Sequence, residues 1–200
     1  MNTQHLALHG LALKKHAAAS LVAAAVDLPE TEVATLLEDA THKGRAVAVQ
    51  GGWMLSPAGR MILDGQYARV YAELRANPAF MQAYERFERI NTELKQLITD
   101  WQTLEVGGQK VRNDHSNREH DAKIIDRLAD LHERFMPVLK VLAHHLPRLA
   151  VHGRKLEQAL DRVDAGAIEW VSDAKTESYH TVWFEMHEDL LRILGRTREE

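Results

Sequence analysis

The chain has 200 residues, of which 45% are hydrophobic and 27% charged; this supplies enough apolar surface for a core and excludes a disordered or fibrous protein. A formal charge of −4 excludes a surface that grips nucleic acid over its whole extent and leaves room only for a local basic patch. Cysteine is absent, which removes disulfides, thiolate metal sites and cysteine nucleophiles.

The first segment, up to Lys15-His16, carries Leu6, Leu8, Leu11 and Leu13 on a roughly helical apolar face. The apolar run Ala17 to Val26 is about half of the roughly 20 residues that a membrane span needs. Asp27-Leu28-Pro29-Glu30 stands where a small-residue cleavage site would be, so the run reads as a short helix starting near Ser20 in a cytoplasmic protein with no membrane partner. Pro29 is expected at the first position of the next helix, with Glu30 and Glu32 in its first turn and Val33, Leu36, Leu37 and Ala40 on its inner face. Gly44 is its expected C-terminal stop. The period then changes: Ala46 to Val49 is β-prone, Gln50-Gly51-Gly52 is a turn, and Trp53-Met54-Leu55 is a second strand. Ser56-Pro57 starts another helix as cap and first residue.

Behind Asn77-Pro78 lies the most strongly periodic segment, with Phe80, Tyr84, Phe87, Ile90, Leu94, Leu97, Ile98 and Trp101 on one face. Leu104 to Asn117 lacks periodicity and reads as a long loop or small hairpin. A capping box at Ser116–Glu119 restarts a helix, in which Pro137 is expected to produce a kink or break. Pro147 starts the following helix, Asp164-Ala165-Gly166 ends it, and a last helix is expected from about Lys175 to Gly195. The fold class is therefore mainly α with a small β-hairpin, divided into residues 1–64 and a helical domain over residues 65–200.

The segment Met54-Leu55-Ser56-Pro57-Ala58-Gly59-Arg60, in its place behind three short helices and a hairpin, resembles the end of the wing in winged helix-turn-helix regulators of the MarR and PadR type. The resemblance covers residues 5 to about 64. It implies a DNA-binding transcriptional regulator in which the helix Thr31–Lys43 enters the major groove and the hairpin Arg45–Trp53 is the wing. Thr31, Thr35, Thr41, Lys43, Arg45 and Gln50 are then the residues nearest double-stranded DNA, in a homodimer whose contacts fall to the helical domain. Charge weighs the other way. Lys14, Lys15, Lys43, Arg45 and Arg60 face Asp27, Glu30, Glu32, Glu38, Asp39 and Asp64 within residues 1–64, while DNA affinity comes largely from phosphate neutralisation. The alternative is an interaction or small-molecule-binding protein that uses the winged helix as a docking surface.

Twelve histidines supply the remaining candidates. Asp114-His115-Ser116-Asn117-Arg118-Glu119-His120-Asp121 has the composition of a metal site but neither zincin spacing, and it reads as a polar loop before a capped helix, with no metal or cofactor expected. His132 and His145 lie near apolar positions of their helices, and His180, Phe184 and His187 form a stripe beside Trp183, Met186 and Leu190. Trp101, His132, His180, Trp183 and His187 are the candidate wall of an effector pocket, weighed against hydrogen-bonded core histidines. Phe80–Trp101 is the expected dimer seam. No catalytic set is present: GxSxG, a phosphate loop and a dinucleotide fingerprint are all missing, so no enzymatic activity is expected.

Overall fold

The computed structural model describes residues 2–197. It is mainly helical, with a small three-stranded antiparallel sheet and a separate two-stranded hairpin. Contacts divide the chain into two compact units, one holding residues up to 77 together with those from 185 on, the other residues 78–184.

In the first unit, α1 (Thr3–Lys14) is capped by Asn2, whose side chain accepts the Gln4 amide at 2.8 Å. Lys15, at φ 64, reverses the chain into β1 (His16–Ala17). α2 (Ala19–Val26) ends on Asp27 in the left-handed conformation, its amide bonded to the Ala23 carbonyl. Pro29 stands one place earlier than expected: it is the N-cap of α3 (Glu30–His42), not its first residue. Val33, Leu37 and Ala40 are buried at helical spacing. β2 (Ala46–Val49) and β3 (Gly52–Leu55) form the hairpin, and β1 pairs with the free edge of β3, giving the order β1-β3-β2. The strand β1 has two residues, too few to show any period in the sequence.

One close approach joins this sheet to the next helix, α4 (Pro57–Val70). The Ser56 hydroxyl accepts the Gly59 amide at 2.9 Å and donates to the Gly44 carbonyl at 2.6 Å. A Cβ at Gly59 would lie 1.8 Å from the Arg45 carbonyl oxygen, so only glycine lets the two backbones meet. After α4 comes the single turn α5 (Ala72–Arg75). Residues 65–77 belong with this unit because Tyr67 and Tyr71 pack edge-on against His5 of α1.

The second unit is built on α6 (Pro78–Gln102) and α7 (Arg118–His145), which pack on each other through the stripe Phe80, Tyr84, Phe87, Ile90, Leu94, Leu97, Ile98 and Trp101. Burial of each large apolar side chain contributes about 1.5–3 kcal/mol. The face expected to meet a second copy is thus covered within the chain. Between the helices, β4 (Thr103–Val106) and β5 (Gln109–Arg112) turn through Gly107 and Gly108, both at positive φ. The cap of α7 is Asn117, which accepts the His120 amide, and not Ser116 as the capping-box spacing suggests; Ser116 remains in the loop, its amide bonded to Asp114. α7 also runs through Pro137 without a break. A 3₁₀ turn at Pro147–Leu149 leads into α8 (Ala150–Asp164), and a second at Ile168–Trp170 leads towards α9 (Tyr179–Leu194). Residues 179–184 of α9 belong to this unit and the rest to the first. Among the described residues, no helix is long and apolar enough to cross a membrane.

Replacing Gly59 with alanine forces the Arg45 backbone away and should cost about 1–3 kcal/mol, whereas Ser56→Ala should cost about 1 kcal/mol through loss of the cap. Urea unfolding of the two variants checks both values, and an alanine at 59 as stable as wild type would contradict the close approach.

Candidate functional site

On α3, Thr31 and Thr35 are exposed and lie on one stripe with Glu38 and His42. The Thr35 hydroxyl donates to the Thr31 carbonyl and that of Thr41 to the Leu37 carbonyl, so both are partly engaged by their own helix. Lys43 is exposed and pairs with Asp39 at 2.7 Å. Arg45 is half-buried, and Gln50 is exposed at the hairpin turn. The hairpin from Ala46 to Leu55 carries no cationic side chain. What it exposes is apolar: Val47, Val49 and Met54, with Val47 directly opposite Met54 in the register.

The five residues of the expected effector wall separate. Trp183 is core: its ring lies 4.5 Å from Phe135 and 5.2 Å from Phe87, and its indole N–H donates to the Asn91 side chain at 3.0 Å. His132 reaches the buried Tyr179 hydroxyl through Nδ1 at 3.2 Å. Burial raises the Tyr179 phenol far above its ordinary value, so that hydroxyl stays protonated beside the ring. His180 is half-buried, its amide bonded to the Val171 carbonyl. His187 belongs to the first unit. Trp101 is buried at the end of α6 and lines a different place, a cavity of about 770 Å³.

That cavity is bounded by the end of α6, by β5, by His115 and by the Ile168–Trp170 turn with the residues after it. The His115 ring lies 4.5 Å from that of Trp101, and its Nδ1 is 3.0 Å from Asp121 Oδ2. Asn113 completes the arrangement: its amide nitrogen donates to Asp121 Oδ1 and to the Trp101 carbonyl, both at 2.9 Å, and its side-chain oxygen accepts the His115 amide. The sequence marks His115 and Asp121 by composition alone, and a spacing of six matches no helical face. The loop geometry that joins them could not be read from it. Among the described residues, no group of three or more histidines and acids is placed to hold a metal ion.

The first unit holds a second unanticipated histidine. His9, wholly buried, meets the Tyr67 hydroxyl at 2.6 Å through Nδ1 and lies 2.9 Å from Asp189 Oδ1 through Nε2. The only sequence signal is His5 and His9 four apart on an otherwise apolar helix. No protein-family model, curated protein or solved structure matches this chain.

Desolvation holds His132 below its ordinary value of 6.5, against the upward pull of Glu157, Glu133 and Asp161. The folded protein therefore binds this proton less readily than the unfolded chain does. The stability from a neutral His132 is fully present above about pH 6.5 and is lost as the pH falls towards the lowered folded value. The stability gap between wild type and His132→Gln should accordingly narrow from about pH 7.5 to about pH 5 in urea unfolding. A gap constant over that range would mean that His132 does not titrate with folding.

Proposed function

We propose that the protein is a winged helix-turn-helix regulator that binds double-stranded DNA as a homodimer through its first unit, the second unit serving as a small-molecule-sensing domain. The observation that carries this reading is the order of elements: three helices, a short strand before the second of them, a hairpin with its second strand central, and a Ser-Pro-capped helix. The exposed stripe of Thr31, Thr35, Glu38 and His42 on α3 supports it, because threonine and glutamate side chains can meet base edges in a major groove. Phosphate contacts are few, coming from Lys43, Arg45 and the hairpin turn at Gln50. Binding by such a surface depends more on groove contacts than on charge, and a homodimer supplies a second half-site.

The exposed Val47, Val49 and Met54 favour a second reading, in which the hairpin docks on a protein. One experiment separates the two. Fluorescence anisotropy with DNA from beside the protein's own gene should show binding at low salt. The logarithm of affinity should fall against that of salt with a slope of about −0.9 for each phosphate neutralised. Lys43→Gln should reduce the slope by about one, and Thr35→Ala should weaken binding to that DNA more than to random sequence. No retention of any DNA at low salt by the folded protein defeats the DNA reading and leaves the docking one.

A further inference from the structure

The cavity beside His115 combines three features that a merely structural loop does not require. The first is backbone strain. His115 sits at φ 62, a left-handed conformation that costs a side chain other than glycine about 1 kcal/mol or more. The second is that two buried polar side chains serve one accessible ring. Asn113 is 3% exposed and Asp121 6%, and between them they hold the His115 amide and Nδ1, while the His115 side chain keeps 30% of its surface. Both carboxylate oxygens of Asp121 accept, so Nδ1 carries the proton in that contact. Nε2 then offers a fixed lone pair, and it has no hydrogen-bond partner among the described residues. The third is uncommitted charge of both signs. Lys110 and Arg112 on β5 and Glu169 on the facing 3₁₀ turn also line the cavity; the Lys110 charge also acts on Asp100, while the Arg112 and Glu169 side chains have no hydrogen-bonded or ion-pair partner among the described residues. Asp173, nearby, uses one oxygen for the Lys175 amide.

We infer that this cavity binds a small zwitterion of amino-acid or dipeptide size. Its carboxylate is held by Arg112 and Lys110, and its ammonium group by Glu169, Asp173 and the His115 Nε2 lone pair. Charge complementarity selects that class. A simple anion would leave Glu169 and Asp173 facing its own charge, and a simple cation would leave Arg112 and Lys110 so placed. Arg112 can meet a carboxylate through two parallel N–H bonds, and Val111 and Ile168 offer apolar surface for a side chain. The volume of about 770 Å³ falls within the range of small-ligand sites. The inference stands apart from the DNA reading, since the lining lies wholly in the second unit.

Isothermal titration of the full chain with the dipeptide L-alanyl-L-leucine tests it. Binding at one site per chain is expected, weakened about tenfold or more by Arg112→Gln, by His115→Gln, and by Nα-acetylation or C-terminal amidation of the dipeptide; one charge-assisted contact corresponds to a change of that size. Arg112→Gln, on an exposed strand, should leave the unfolding midpoint of the unliganded protein unchanged, which separates lost recognition from a lost fold. No heat of binding with L-alanyl-L-leucine overturns the inference. So does binding that Arg112→Gln and His115→Gln leave intact, or that survives removal of either ligand charge.

Discussion

Twelve histidines in a chain whose helices bury wide faces impose one constraint on everything else: an imidazole taken out of water needs a partner for its ring nitrogens. For His9 and His132 the protein meets that need with residues far away in the chain. His9 on α1 is met by Tyr67 on α4 and by Asp189 near the C-terminus, and His132 on α7 by Tyr179 at the start of α9. These pairings span 58 residues for His9 with Tyr67 and 47 for His132 with Tyr179, so they can form only when the helices are already in place. They select one packing of the helices among those that hydrophobic burial alone would allow. His115 differs in kind. Its partner is six residues away, its ring is not fully buried, and its contacts orient it towards a cavity.

The acids of α3 are explained by the helix itself before any partner is considered. Glu30 and Glu32 stand in its first turn, where the backbone dipole favours negative charge, and Asp39 pairs with Lys43 one turn on. The same arrangement reduces the net positive charge available to DNA at the place where a groove-reading helix would need it. Stability of α3 and affinity for phosphate thus draw on the same positions in opposite directions, and here the helix takes precedence. The exposed stripe of α3 accordingly carries hydroxyls, an imidazole and a carboxylate and no cation.

The helices were legible because their periodicity is strong: α6 shows all of its buried apolar positions as a single stripe, and the Ser56-Pro57 start is given by cap chemistry that acts within four residues. Misreadings occurred where two local rules competed. Ser116 and Asn117 can both cap a helix, and Asn117 takes the role because Ser116 lies in the turn closed by Asp114. Pro137 removes one hydrogen bond, but the apolar stripe from Ile124 to Leu142 on both sides of it holds α7 together. The strand β1 and the partners of His9 were illegible for another reason. They are defined by contacts between segments distant in the chain, and no local pattern encodes those. Trp183 illustrates the same limit from the other side: its stripe lies beside that of His180 and His187, yet Phe87 and Phe135 fill the space beside its ring.

The loop from Asn113 to Asn117 shows how such long-range placement can convert ordinary residues into a site. Its local hydrogen bonds resemble those of many polar turns, and the Asp114–Ser116 contact needs no further explanation. The left-handed residue, however, would be accommodated at lower cost by glycine, or by asparagine, and neither carries an imidazole. A fold that needed only the turn would gain from either replacement, since it would lose strain and release Asp121 from burial beside a titratable ring. The strain at His115 is therefore offset by something that only the ring provides. Within the unit that something is the tilted contact with the Trp101 ring and the Asp121 contact. Nε2 makes no hydrogen bond among the described residues, and Lys110, Arg112 and Glu169 stand around the cavity that His115 lines.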